Sequence, residues 1–230
     1  MAITLKLSVE IYDNIPRFNC DECYKCNSKI GVSLCKYKHR GCCFYYPKFN
    51  LVDLQRMVKD PEGKPVINKI LNNKRAKIFN YYIQEVGYFD KEGYNNYLKS
   101  SNFKFDKSEP LDKTLYFKSC PFVVDGKGCS IPSKFRTPVC NFFLCTEIKN
   151  TANYNNLIHS YELAAREYYH YYEWENENLI ELFEEKGLTL KNNLKESLEF
   201  LKSLKIYYCE FPKLKDFNSN DINSNFPIAK

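Results

Sequence analysis

Several absences narrow the reading of this 230-residue chain before any residue is singled out. No apolar run approaches the ~18 residues that a membrane span requires, so no membrane partner is expected. The opening residues, MAITLKLSVEIYDNIP, alternate apolar with polar and lack the continuous apolar stretch of a secretory leader. A cytoplasmic, reducing setting is the expectation that follows. The chain contains no P-loop, no G-x-G-x-x-G, no H-E-x-x-H and no radical-type C-x-x-x-C-x-x-C, so these nucleotide, zinc-protease and radical signatures are missing. Histidine is scarce, at three residues. Strong charge is also lacking: the formal value is +6 with every cysteine neutral. Any cysteine held as a thiolate lowers it further, so this weakly basic balance is poor evidence for a nucleic-acid partner, and none is expected.

What remains is a globular balance, 44 % hydrophobic and 27 % charged, long enough to bury a core without help from disulfides. Tyrosine (19) and phenylalanine (17) are plentiful. The chain has 11 cysteines, and in a reducing setting clustered cysteines point to metal or redox chemistry before disulfides.

Periodicity supplies a coarse map. Ile3, Leu5, Leu7, Val9 and Ile11 recur at every second position and predict a strand over 3–11. Asn50 as N-cap, the stripe Leu51, Leu54 and Val58, and Pro61 as stop predict a helix over 50–60. Apolar residues at helical spacing extend a second helix over 66–87, and residues 88–110 read as loop and turns. LYFKS (115–119) reads as a short strand. Gly126, Gly128, Pro132 and Pro138 break the stretch 120–145 into loops with short strands. A long helix is predicted over 152–186, ended by Gly187, and a last one over about 189–205.

The resulting fold class is α+β, mainly helical, with irregular cysteine-rich loops and a helical C-terminal part. The domain reading is a cysteine-cluster unit over 1–150 with a helical insertion at about 50–87. A helical part over 151–210 and a loose polar tail over 211–230 follow it.

Ten of the eleven cysteines fall in two windows. The first holds Cys20, Cys23 and Cys26 at C-x-x-C-x-x-C spacing, then Cys35 and the adjacent pair Cys42–Cys43. The second holds Cys120, Cys129, Cys140 and Cys145. Cys209 stands apart and reads as a packing thiol. Short C-x-x-C spacing lets two thiolates meet one centre, with backbone N–H groups aimed at the sulfurs. The candidate metal and cofactor ligands are therefore Cys20, Cys23, Cys26, Cys42, Cys43, Cys120, Cys129, Cys140 and Cys145, with Cys35 in second rank.

One or two 4Fe–4S iron–sulfur clusters are the favoured cofactor, because the thiol count exceeds the need of a single four-thiolate site. Zinc is the alternative, since thiolates accommodate both. A ferredoxin fold is not expected, because Ile30 stands where its fourth cysteine would be.

The segment CPFVVDGKGCSIPSKFRTPVC (120–140) resembles the second half of the YkgJ-type cysteine-cluster proteins, a zinc- or iron-chelating family. Cys120, Pro121, Phe122, Cys129, Ile131, Arg136, Pro138 and Cys140 carry the likeness. The family's first half is C-x-x-C-x-x-C-C. Here Cys20, Cys23 and Cys26 match three positions while Asn27 replaces the fourth; alternatively Cys23 and Cys26 pair with Cys42–Cys43 across an insertion. The resemblance covers roughly 18–145 and implies metal binding far more firmly than any reaction. Similar patterns occur in flagellin lysine methylases, so it also allows methyl transfer.

Arg136 and His39, both inside the cysteine windows, are the candidate catalytic groups. His159 and His170 read as ordinary helix residues, the aromatic stretch 166–177 as core, and Lys-rich 64–77 as a solvated helix face. Three functional expectations result. The first is an iron–sulfur protein acting in redox or cluster-assisted chemistry on a protein or small-molecule partner. The second is a zinc-stabilised binding module without catalysis, and the third is a cluster-containing methylase or other group transferase. An enzyme would line a pocket with both cysteine windows, turn Arg136 or a spare thiol toward it, and cover it with the long helix.

Overall fold

The computed structural model describes residues 6–20, 33–35, 40–100, 112–145, 148–149 and 157–218. Among the described residues it is an α+β arrangement: helices pack around a small number of short antiparallel sheets. Cys23, Cys26 and His39 lie outside the described residues.

The alternating N-terminal pattern forms strand β1 (Lys6–Tyr12), which returns through Asp13 and Asn14 into β2 (Ile15–Cys20). Both turn residues have positive φ (49° and 64°), the backbone that a two-residue hairpin demands and that Asp and Asn tolerate best. The register pairs Leu7 with Cys20 and Tyr12 with Ile15. The core face carries Leu7 and Phe18, and Phe18 makes edge contacts with Phe142 and Tyr161. This packing fixes the end of β2, where Cys20 sits.

Strand β3 (Lys48–Asn50) leads directly into helix α1 (Leu51–Lys59), close to the predicted 50–60. The Asn50 amide donates to Asp53 Oδ2 at 2.9 Å, tying the first turn of the helix. Helix α1 is central. Leu51, Leu54 and Met57 are buried, and so are Asp53, Gln55 and Arg56, because the long helix and the last helix close over its polar side. Tyr172 donates to Asp53, and burial pushes the Asp53 carboxyl up to about 6 against the pull of Arg56 and Tyr172.

The region read as a single helix over 66–87 is different. Helix α2 runs only from Gly63 to Leu71, and β4 (Lys77–Ile78) and β5 (Tyr82–Gln84) follow, in a sheet of order β3–β5–β4. The helix stops at Asn72–Asn73, where the Asn73 side-chain amide turns inward and donates to the buried Glu85 carboxylate. The region read as loop over 88–110 contains β6 (Tyr88–Phe89) and helix α3 (Lys91–Lys99), capped by Asp90, which accepts from the Gly93 amide. Residues 113–117 form a 3-10 turn rather than a strand, and only Lys118–Ser119 (β7) are extended, paired with β6.

The predicted long helix is observed over Leu157–Glu185, with Tyr161, Ala165, Tyr168, Tyr172, Leu179 and Phe183 on its buried side. Gly187 at φ 63° ends it, and the Leu188 amide returns to the Phe183 carbonyl. The last helix is shorter than predicted, Leu194–Ser203, because residues 190–192 form a turn seated on the buried Leu190. Part of the segment read as a loose tail is held: β10 (Phe217–Asn218) pairs with β1, and Phe217 is buried. No helix among the described residues is long and apolar enough to cross a membrane.

Candidate functional site

The two cysteine windows converge. A cavity of about 420 Å³ is lined by Cys20, Cys42 and Cys43 from the first window and by Cys120, Cys129 and Cys140 from the second. Each sulfur reaches it by a different local device. Cys20 is the last residue of β2. Cys42 and Cys43 sit on the turn after Arg40, closed by a bond from the Cys43 amide to the Arg40 carbonyl at 3.0 Å. The Cys120 amide then donates to the Cys43 carbonyl at 2.8 Å, joining the windows backbone to backbone.

Beyond Cys120 the chain turns into a tight hairpin of β8 (Val123–Val124) and β9 (Gly128–Cys129), with Gly126 and Gly128 in positive φ (69° and 88°). That hairpin pairs Val123 with Cys129. Cys140 sits in the short helix α4 (Pro138–Asn141), which opens on Pro138.

Hydrogen-bond donors are aimed at the sulfurs. The Ile131 amide meets Cys129 Sγ at 3.4 Å, and the Thr137 hydroxyl meets Cys140 Sγ at 3.5 Å. A backbone bond from Phe122 lowers the Cys120 pKa. Burial nonetheless dominates. It pushes the Cys140 thiol up to about 12, the Cys120 thiol higher still, and Cys129 upward against the Arg136 charge. Buried thiols in this setting favour the neutral form unless a cation is brought among them.

Four cations line the same cavity: Arg17, Arg40, Lys127 and Arg136. Arg40 is 2 % exposed; its Nη1 donates to the Gly41 carbonyl and its Nη2 to the Leu115 carbonyl, both at 3.0 Å. Burial lowers its pKa, and the neighbouring Cys35, Cys43 and Cys42 oppose that shift. Arg17 pairs with Glu10 at 3.6 Å and donates to Ser133 Oγ at 3.2 Å, so it also braces β2 against the second window. Arg136 Nε donates to the Ile131 carbonyl at 2.7 Å, holding its guanidinium at the wall. Among the described residues no Asp, Glu or His lines the cavity.

Of the residues read from sequence as candidates, Cys20, Cys42, Cys43, Cys120, Cys129, Cys140 and Arg136 line the cavity. Cys35 and Cys145 do not. Cys35 is buried behind the wall, its sulfur 3.0 Å from Ser33 Oγ and within the field of Arg40. Cys209 is remote, with Sγ 3.5 Å from the Glu210 carbonyl. The described part of the long helix contributes no lining residue, unlike the cover that an enzyme would call for; it packs behind Cys140 through Phe142, which meets Tyr168 and Tyr169.

Arg17, Arg40 and Lys127 went unmarked in the sequence. Arg40 had a signal, its place two residues before Cys42; Arg17 had none, because nothing in an isolated strand pattern says what its polar side faces.

The donor set fits a thiolate-bound centre in kind and number: among the described residues six thiols, and no carboxylate or imidazole, line one cavity. As placed, no three His, Cys, Asp or Glu side chains among the described residues are gathered tightly enough to hold an ion. The chain matches no family model, no curated protein and no solved structure.

Proposed function

We propose that this chain is a metal-binding cysteine-cluster protein, with an iron–sulfur centre held between its two cysteine windows and used in redox or cluster-assisted chemistry on a partner or substrate. One observation carries the reading: six thiols, three from each cysteine window, line one cavity that among the described residues holds no carboxylate or imidazole. Four thiolates complete a 4Fe–4S centre. Cys43, Cys120, Cys129 and Cys140 are the first choice, because Cys43, Cys129 and Cys140 all act electrostatically on Cys120. Cys20 and Cys42 complete the lining.

Such a centre supplies electron transfer or Lewis acidity. The chain's own contribution is to bury the sulfurs, direct N–H and O–H donors at them and surround them with cations. The resemblance to the YkgJ-type cysteine-cluster proteins agrees with this reading. A structural zinc site uses four protein ligands, so six thiols, two beyond that need, favour iron–sulfur over structural zinc. Anaerobic purification with metal and acid-labile sulfide analysis tests the proposal. Coloured protein with iron and sulfide in near-equal amounts is expected; colourless protein with stoichiometric zinc, or with no metal, overturns it.

A further inference from the structure

The cations of the thiol cavity are not equally engaged. Arg40 is buried against carbonyls and against Cys35, Cys42 and Cys43, and Arg17 is paired with Glu10. Lys127 and Arg136 differ. Among the described residues neither takes part in an ion pair, and no carboxylate lines the cavity they share.

The single hydrogen bond of the Arg136 side chain uses Nε, which donates to the Ile131 carbonyl. That bond orients the guanidinium and leaves Nη1 and Nη2, the two nitrogens that form a fork toward an oxyanion, without an acceptor among the described residues. Lys127 stands on the exposed turn between β8 and β9, just after Gly126. It adds an exposed point charge to the cavity that the Arg136 fork lines. The cavity also offers apolar surface for a ligand's body: Tyr45 and Val139 line it, 46 % and 50 % exposed.

We infer that this cavity binds a small organic anion, with its carboxylate or phosphate head on Arg136 and Lys127 and its apolar body against Tyr45 and Val139, beside the cysteines. The inference rests on the cavity being the functional site. It requires no metal, since neither cation is a ligand. It adds a substrate class to that site: an anion-headed molecule held next to the sulfur centre.

Calorimetric titration of the full-length protein, as isolated under anaerobic conditions and after chelator treatment, separates the outcomes. Phenyl phosphate and benzoate are the probes, benzyl alcohol is the neutral control, and inorganic phosphate is the head alone. At least one aromatic anion is expected to bind both preparations, more tightly than inorganic phosphate and far more tightly than benzyl alcohol. The tighter of the two identifies the head. Lys127→Gln, on an exposed turn where the fold is not at risk, is expected to weaken that binding about tenfold, the loss of one charge-assisted contact. Arg136→Lys, which keeps the charge and loses the fork, is expected to weaken it as well.

Equal binding of benzyl alcohol, or indifference to Lys127→Gln, overturns the inference. So does binding only to the chelated protein, which would make the two cations mere countercharges of a metal centre. If the isolated protein holds no metal yet binds the anion, the metal reading fails and this one stands.

Discussion

A cysteine becomes a metal ligand only as a thiolate, and burial works against that form. Cys120, Cys129 and Cys140 are each shifted toward the neutral thiol by desolvation. A cation among them reverses the balance, so its binding energy and the placement of these side chains are coupled. The expected result of Cys120→Ala or Cys140→Ala is a joint fall in metal content and in Tm. Cys209→Ser should change neither, because its sulfur faces a backbone carbonyl away from the cavity. Metal analysis and thermal melts on the three variants check this, and full occupancy in Cys140→Ala would remove that residue from the ligand set. At this scale the sequence was informative about residue type and poor about role. The grouping of cysteines in two windows was visible, and the C-x-x-C spacing put Cys20 among the ligand candidates and Cys35 in second rank, but the spacing did not supply the reason that Cys35 sits behind the wall. The difference depends on where β2 ends and on Arg40, whose buried guanidinium stands beside Cys35.

At the scale of elements, the second window is positioned by a close backbone approach. A Cβ on Gly87 would lie 2.0 Å from the Ser119 carbonyl oxygen, 2.8 Å from Tyr46 Cε1 and 3.1 Å from Pro121 Cδ. Only glycine lets the chain before β6 pass so near the residues flanking Cys120. Gly87→Ala is therefore expected to displace β7 and the Cys120 that follows it, destabilising the fold by about 1–3 kcal/mol, the range of an overpacked core site, and lowering metal content although no ligand is touched. Denaturant melts with metal analysis test this; wild-type values for both would show that the approach is not tight.

The sequence was informative about elements where burial is one-sided. The alternation of β1, the apolar stripe of α1 and the long helix were all legible, because each packs one face on the core. It was uninformative where a local polar contact decided. The helix over 66–87 failed at Asn73, whose inward amide serves Glu85. Helix α3 was missed because none of its residues is buried; its aromatic contacts, Tyr94 and Tyr97 on Phe117, join segments about twenty residues apart.

At the scale of the whole molecule, the cavity is where distant parts of the chain meet. The β1–β2 hairpin brings Cys20 and Arg17, the turn after Arg40 brings Cys42 and Cys43, and the hairpin and short helix of the second window bring the other three thiols. Lys134 adds a second tie outside the cavity, with its ammonium 2.8 Å from Asp13, 2.6 Å from Asp60 and 2.9 Å from Glu62. The second window is thereby fastened to both the hairpin turn and the corner after α1. A centre that bridges these segments would stabilise the fold as a unit rather than locally. The most direct measurement of the central claim is X-ray absorption at the metal edge of anaerobically isolated protein. The account predicts a first coordination shell of sulfur alone, with a short metal–metal distance if the centre is iron–sulfur. A shell containing nitrogen or oxygen from the protein, or protein that holds no metal at all, would contradict it.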